Sequence, residues 1–558
     1  MAKKQKVQTQ TGNRLESLKK VKRRIKELNN KFDSGYKGHY VDLVDYLMPR
    51  NGLFLKNDTE GASDRGKKKG EKSFNSKAMF ARRVLASAMM AGLTSHARPW
   101  LKLVIPSTEA LPKSVEVWLE LVSARLLQIF ADSNFYSVMQ GMYDELGVVG
   151  TAAMLIEEDF ESVARFRHLT VGEYRLAASA SNRVDTLIIP RVNMTVENVV
   201  DEYGLENVRV ETANAYRAGR LDDVRQVTVY IAPNPDYGNP KSRLSNSKYV
   251  MIEWEKAMAE DQFLKITGYR ERPFAVARWQ VIGTDVYGSD CPGMMVLPDV
   301  KQLQTMEKKK LRALDKHIDP PLQAPTTLQN EGVVAVAGGV NYIDAVQGSP
   351  AVKPAYEVKP DLQAMMAANA EVEGRIDVAF FVDVFLSFME ATKRMTATEV
   401  REWSAEKLLM LGPVTELVES ETLDPIVERT YALADRFGLI PPPPPELTPG
   451  AALKIDYIGM LSQAQKLSGS AAIERFIQFA MILAEASPSS WDKVDTDVLI
   501  DEIADVSGVS KRFMRDDKEV KELREIRAQQ EQQMQQMEML QKGADAAQKF
   551  ANTEQQSE

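Results

Sequence analysis

The sequence predicts an α+β protein, predominantly helical, built from several units. Three observations carry that prediction. Long stretches rich in Ala, Leu and Met place apolar residues at helical spacing; residues 150–280 switch to short alternating runs; and Pro and Gly clusters stand where these regimes change. A chain of 558 residues has length for about four units of ~150 residues each.

Leu15, Leu18, Val21, Ile25 and Leu28 recur every third or fourth residue, the stripe of an amphipathic helix. Residues 1–31 carry Lys and Arg in excess, opposed only by Glu16 and Glu27, although the whole chain has net charge −7. Two readings stand for this helix: an arm for nucleic acid, or a helix docked by its apolar stripe with a solvated basic face. Residues 56–77 are rich in Gly, Ser, Asp and Lys and read as a loop. Phe74 to Leu93 and Ser114 to Ala131 read as helices, and Ser133-Asn134 as the N-cap of a third from Phe135 to about Leu146. Within 150–280, strands are predicted at Arg225–Ile231, Tyr249–Trp254 and Phe274–Trp279, with a helix at Val196–Tyr203.

From Leu297 a helix of about 33 Å runs to Ile318, stopped by Pro320-Pro321. Residues 320–358 hold short β-branched runs, Val333–Val336 and Val340–Ile343, and Asp361 to about Leu386 is helical again. The pattern is a protrusion: a helix out, a small β cap, and a helix back. A further helical region, Thr396–Phe437, is interrupted by Pro413 and Pro425, and Pro441–Pro445 is a stiff polyproline linker. Ala471–Glu485 and Thr496–Ala504 read as helices, and from Asp516 a Gln-rich helical tail follows. The face Val378, Phe381, Val382, Phe385 is a candidate for a partner subunit or for burial within the chain.

Composition excludes several classes. Acidic residues (78) outnumber basic ones (71), so a uniformly basic nucleic-acid coat is ruled out. The single cysteine, Cys291, excludes an internal disulfide framework. No apolar run approaches the ~18 residues of a spanning helix, and the basic N-terminus lacks the apolar core of a secretory signal. The nearest phosphate loop, Gly61 to Gly66-Lys67-Lys68, has Lys68 where a Mg²⁺-binding hydroxyl belongs and no strand before it. His39, His96, His168 and His317 are scattered, and no zinc spacing or G-x-S-x-G elbow occurs. Neither catalysis, metal nor cofactor has positive support. A carboxylate cluster assembled from distant positions, as in a metal-dependent nucleic-acid processing enzyme, and a helical scaffold without a channel remain the competing classes.

Arg272-Pro273-Phe274, Arg278-Trp279, Tyr287-Gly288 and Pro292-Gly293-Met294, running into Leu297-Pro298-Asp299-Val300-Lys301, resemble the central motif of phage portal proteins. These are the head-to-tail connectors of T7-like short-tailed bacteriophages (podoviruses). Three segments agree in order: Gly92-Leu93-Thr94 with Pro99-Trp100; Met194-Thr195 through Tyr203-Gly204; and Met395-Thr396-Ala397-Thr398-Glu399-Val400 with Leu411-Gly412-Pro413. Together they cover about residues 40–440. The family's "LTPP" site here reads Leu93-Thr94-Ser95-His96, and no family motif appears in the last hundred or so residues.

The resemblance implies a wing/stem/clip/crown protomer of a homododecameric ring around a DNA channel. It implies a wing at 1–290, stem helices at 291–319 and 359–386, a clip at 320–358, and a tunnel loop and long wing helix at 387–440. Crown helices would occupy 446–515 and the tail 516–558. Lys393 and Arg394 become the tunnel-loop cations, and Thr398 and Glu399 belong to the family motif. The implied partners are further copies of the chain, double-stranded DNA without regard to sequence, the terminase large subunit, a tail adaptor, and the major capsid and scaffolding proteins. No membrane is implied. The implied place is the portal vertex of a virion, assembled in the host cytoplasm. The protein itself would not be an enzyme, because the ATP-driven motor is a separate terminase. A mostly acidic chain suits a passage along which DNA slides.

Overall fold

The computed structural model describes residues 2–56, 70–106, 111–259, 262–318, 322–323, 353–354, 359–390, 409–447, 452–459, 461–462, 479–480, 482, 496–500, 515, 519–530 and 532–534. In chain order the elements are α1 (Ala2–Gly35), α2 (Lys37–Leu47), α3 (Leu53–Lys56), α4 (Lys77–Leu93), β1 (Leu101–Val104), α5 (Lys113–Asp132), α6 (Phe135–Val149), β2 (Thr151–Asp159), β3 (Val163–Leu169), β4 (Arg175–Ala178), β5 (Val184–Thr195), α7 (Val196–Tyr203) and α8 (Val210–Arg217). They continue with β6 (Val224–Pro233), β7 (Tyr249–Glu255), β8 (Lys265–Tyr269), β9 (Phe274–Arg278), α9 (Pro292–Ile318), β10 (Leu322–Gln323), β11 (Lys353–Pro354), α10 (Leu362–Ala379), α11 (Val382–Glu390), α12 (Gly412–Val418), α13 (Asp424–Arg436) and β12 (Lys454–Tyr457).

The chain divides into two units. The larger comprises Met1–Leu101, Arg125–Ile440 and Gly459–Gln465; the smaller comprises Lys102–Ala124, Pro441–Ile458 and Lys466–Glu558. One boundary falls at the first residue of the polyproline run. In the smaller unit β12 pairs with β1, a strand beyond the linker where the sequence suggested helices first. The Trp118 indole N–H donates to the Pro441 carbonyl (2.9 Å) and Ser123 Oγ accepts the Leu103 N–H (2.9 Å). Residues 496–500 and 519–530 are helical; most of the helices expected at 471–485 and 501–504 lies outside the described residues.

In the larger unit, β4 to β8 form an antiparallel meander in sequence order. Proline interrupts a strand ladder, and Pro190 in the interior strand β5 sits where the register shifts between Ile189 and Val192. Helix α7 is capped by Thr195, whose hydroxyl accepts the Asn198 N–H, and ends at Gly204. Val199, Tyr203, Val227, Tyr230 and Trp254 share one apolar cluster, and Ile25 of α1 is buried in it with Val21 and Leu28 packed beside it. The stripe of α1 is therefore docked at Val21, Ile25 and Leu28, while Lys20, Arg23, Lys26 and Lys31 are exposed.

A second sheet has the order β3-β2-β9, with β2 central and antiparallel to both neighbours. Helix α6 is tied to it along its length. Asn134 does not cap α6 through its side chain, as the sequence suggested. Its amide instead pairs with the backbone of Phe166 on the edge strand β3, donating to the carbonyl (2.7 Å) and accepting the N–H (2.9 Å). An exposed strand edge thus finds a side chain in place of a missing strand. One turn from the far end, Glu145 is fully buried; its Oε1 accepts from Thr170 Oγ1, the Val171 N–H (3.3 Å) and Asn51 Nδ2 (3.2 Å). His168 Nε2 stands 3.5 Å from Glu145 Oε2.

Helix α9 begins at Pro292, five residues before the sequence reading, because Pro at the first helical position costs no hydrogen bond. Helix α10 runs antiparallel to it: Asn369 Nδ2 donates to Glu307, while Arg375 reaches back to Asp299 (3.1 Å). The buried Gln304 amide clamps the base, accepting the Phe74 and Asn75 N–H groups and donating to the Asn75 carbonyl (2.8 Å). Between the helices, β10 and β11 pair antiparallel; residues 333–343 lie outside the described residues.

The single helix expected over 361–386 is broken at Phe380-Phe381, where Phe381 has φ 58°. The candidate partner face splits there: Val382 is buried while Val378 is 66% exposed. The long helical region starts, within the described residues, as a 3₁₀ turn at 409–411, passes through α12, widens to a π-turn at Glu419–Leu423, and continues as α13. Both prolines follow an irregular turn, Pro413 the 3₁₀ turn and Pro425 the π-turn, since neither has an N–H to continue an α ladder.

Replacing Asn134 by Ala strands the N–H and C=O of Phe166 and lowers stability by about 1–3 kcal/mol, read from the urea midpoint of near-UV circular dichroism. An unchanged midpoint contradicts the strand-edge role. Burial alone would lower the proton affinity of His168, but the carboxylates of Glu145, Glu173 and Asp144 together hold it above its ordinary 6.5. Its charged form therefore stabilises the fold fully below about pH 6.5 and loses that contribution as pH rises through the folded-state value. Wild type should exceed His168→Gln in stability by more at pH 5.5 than at pH 8; a pH-independent difference refutes the pairing.

Candidate functional site

The motif residues of the sequence converge where α6 ends, β2 begins, β9 ends and α9 begins. Helix α6 stops at Gly150, whose φ of 74° is the left-handed cap conformation that glycine adopts freely. The Gly150 carbonyl accepts the Trp279 N–H (2.9 Å), and Thr151 Oγ1 accepts the Gly288 N–H (2.8 Å). The loop and helix start press directly on this backbone. A Cβ on Gly288 would lie 2.0 Å from the Gly150 oxygen, and one on Gly293 would lie 2.5 Å from the Val148 oxygen. Pro292 opens α9 between these contacts. Cys291 is buried and donates its Sγ–H to the Val148 carbonyl (3.2 Å); burial pushes its thiol up to about 12, so it serves packing and not nucleophilic chemistry.

Tyr287 anchors the loop from the other side. Its hydroxyl accepts the Leu176 N–H (3.0 Å), and its ring meets Tyr36 (4.6 Å between centroids) and Phe32 (5.7 Å). Burial raises its phenol well above the ordinary range. Arg175 lies over the Phe32 ring at 3.8 Å, joining β4 to α1.

Arg278 is 3% exposed. Its Nε donates to Glu421 Oε2 (2.8 Å) and Nη2 to Glu421 Oε1, a bidentate pair with the π-turn. Nη2 also donates to the Asn182 carbonyl (3.0 Å), and Nη1 to the carbonyls of Asp285 (3.3 Å) and Val286 (3.5 Å). Five acceptors meet the five N–H groups of one guanidinium. The neighbouring π-turn residue Glu419 accepts from Ser462 Oγ, and Leu461 packs where a Cβ on Gly92 would fall.

Arg278, Trp279, Tyr287, Gly288, Pro292 and Gly293 are thus brought together. Leu297 is buried one turn along α9, and Pro298 is exposed beside it. Thr398, Glu399, Lys393 and Arg394 lie outside the described residues, as does the Gly61–Lys68 loop. Sequence reasoning missed Glu421, Thr151 and Asn182. The only signal for Glu421 was indirect, a buried Arg that requires a carboxylate. Of the basic residues on distal α9, Lys310 pairs with Glu307 and Lys308 lies over the Phe74 ring. Among the described residues no group of three His, Cys, Asp or Glu is placed to hold a metal ion, and no helix is long and apolar enough to cross a membrane.

Residues 18–514 match the family model described as bacteriophage head to tail connecting protein. The chain is 36% identical over 490 residues to the portal protein of Salmonella phage epsilon15, covering 88% of this chain and 87% of that one. It is 35% identical over 519 residues to the probable portal protein of Bordetella phage BPP-1, covering 92% of both. Among solved structures, a chain of the virion of a native gene transfer agent particle aligns over 74% of this chain and 87% of its own. The identity there is 11% and the TM-score 0.31.

Glu421→Gln leaves the Arg278 charge buried without its counter-ion and costs about 3–5 kcal/mol in urea unfolding. Arg278→Met combined with Glu421→Leu costs less than the sum of the two single changes. Additive losses would show that the pair is not one energetic unit.

Proposed function

This chain belongs to the bacteriophage head-to-tail connecting proteins, the portal proteins, and we propose that it works as a closed ring of twelve copies at one vertex of the capsid. The ring is the passage for double-stranded DNA on packaging and ejection, and the seat first of the terminase large subunit and then of a tail adaptor. In this reading residues 1–290 are the wing and α9 with α10 the stem. Residues 320–358 are the clip, 387–440 the tunnel loop and long wing helix, and 446–515 the crown. The family supplies structural work; the motor chemistry belongs to another protein.

One observation in the structure supports the ring most directly. The distal part of the α9–α10 pair has apolar side chains in solvent: Leu311 (45% exposed), Ile318 (79%), Leu362 (38%) and Met366 (64%). Two antiparallel helices cannot cover each other on all sides, and apolar surface of this kind is buried by a neighbour. A heterologous contact repeated by rotation closes into a ring. The acidic balance of the chain keeps DNA from adhering along the passage, and phosphate contacts without base readout make transport indifferent to sequence.

Electron microscopy and native mass measurement on protein co-expressed with its capsid and scaffolding proteins test the reading. Closed rings of twelve 62.5 kDa chains, about 750 kDa, with a central hole are expected. Particles lacking such rings overturn it. The double variant Lys393→Ala, Arg394→Ala should form normal rings and package less DNA; an unchanged packaged-genome yield removes those two residues from the DNA path.

A further inference from the structure

We propose that the outward face of α1 is a binding surface for the phosphate backbone of double-stranded DNA, separate from the Lys393-Arg394 turn and independent of ring closure. Residues 19–31 contain Lys19, Lys20, Lys22, Arg23, Arg24, Lys26 and Lys31 against Glu27 alone, in a chain whose net charge is −7. The docked side of the helix is accounted for. Val21, Ile25 and Leu28 enter the apolar cluster. Lys22 Nζ donates to the Ala259 carbonyl (2.9 Å), and Arg24 bonds the Tyr230 hydroxyl. Lys20, Arg23, Lys26 and Lys31 are exposed.

At 3.6 residues per turn these four fall within an arc of about 140°, opposite the apolar stripe and shared with the single carboxylate Glu27, and span about 17 Å along the axis. Duplex DNA presents a charge every ~1.7 Å of its own axis, so the stripe faces on the order of ten phosphates. The composition of the face selects among polyanions. A membrane-surface helix inserts its apolar side, and here that side is already buried in the protein core. Protein interfaces centre on apolar and aromatic anchors and are depleted in Lys, whereas residues 19–31 hold no aromatic and no outward apolar side chain. Single-stranded DNA binders stack bases on aromatic rings, which this face lacks. What remains is contact between cations and phosphates.

The test uses full-length protein in the Lys393→Ala, Arg394→Ala background, which removes the tunnel-loop contribution. Fluorescence anisotropy with a labelled 30-base-pair duplex is followed from 50 to 200 mM NaCl, with and without Lys20→Ala, Arg23→Ala, Lys26→Ala and Lys31→Ala together. Ala favours helix at exposed positions, so α1 persists. Removing four phosphate contacts should flatten the slope of log K against log [salt] by about 3.6, so the parent loses about 100-fold more affinity than the variant across this range. Two duplexes of unrelated sequence should bind equally. A variant retaining Arg23 and carrying Lys20→Arg, Lys26→Arg and Lys31→Arg should bind as the parent does. An unchanged slope in the Ala variant, loss of binding in the Arg variant, or equal binding of poly-glutamate at matched charge overturns the proposal. The ring reading is judged separately by particle mass, so either can fail alone.

Discussion

The fold turns on one buried guanidinium. Arg278 ends β9, and its five N–H groups reach the π-turn carboxylate of Glu421, the turn at Asn182 and the loop at Asp285-Val286. A buried ion pair is not necessarily more stabilising than apolar packing of the same volume, but it tolerates no half-measure: a missing acceptor strands a donor or a charge. That intolerance makes it a register device. It holds β9, the β4–β5 turn and the π-turn between α12 and α13 in one relative setting. The π-turn belongs to the same constraint, because a widened turn before Pro425 places Glu421 where Arg278 can take both carboxylate oxygens.

The second constraint is the contact of backbone with backbone. Gly288 and Gly293 admit no side chain between the loop, the start of α9 and the end of α6. Through that contact the direction of α9 is set by α6 and by the central strand β2, which α6 leads into. The start of α9 is therefore tied to α6 and β2, and Gln304 fixes the helix against residues 74–75.

Much of this was legible in the sequence, and the limits have physical causes. The stripe of Val21, Ile25 and Leu28 was readable because helical spacing is a local property. Helix α7 was read over Val196–Tyr203, the bounds the structure gives it. The ordered motifs pointed to Arg278, Trp279, Tyr287, Gly288, Pro292 and Gly293 as a set. Their partners were not readable, because Glu421 lies 143 residues from Arg278 and no spacing rule links them. Asn134 was misread as a cap because local rules score a side chain by its nearest backbone, while its amide found a strand edge 32 residues away. The break at Phe381 was likewise invisible, since an apolar run reads as continuous helix until packing requires Phe380 and Val382 on one interior.

The two kinds of cation divide the labour. Arg82, Arg175, Arg278 and Arg429 are buried, and no lysine is among the buried residues described. The planar guanidinium supplies several directed donors and lies flat on rings, as Arg175 does on Phe32 and Arg429 over Tyr269 while its Nε bonds the Ile156 carbonyl. Lysine offers a strongly hydrated point charge that is costly to bury and cheap to expose. Spending arginine inward leaves the surface cations to be placed by the helices that carry them, and they are not spread evenly. Along the sequence the basic residues run together in α1, at residues 65–72 and in the distal part of α9, in a chain that is acidic as a whole. A uniformly basic surface would trap DNA wherever it touched. The docking of α1 by Ile25 fixes the direction in which the cations of that helix face.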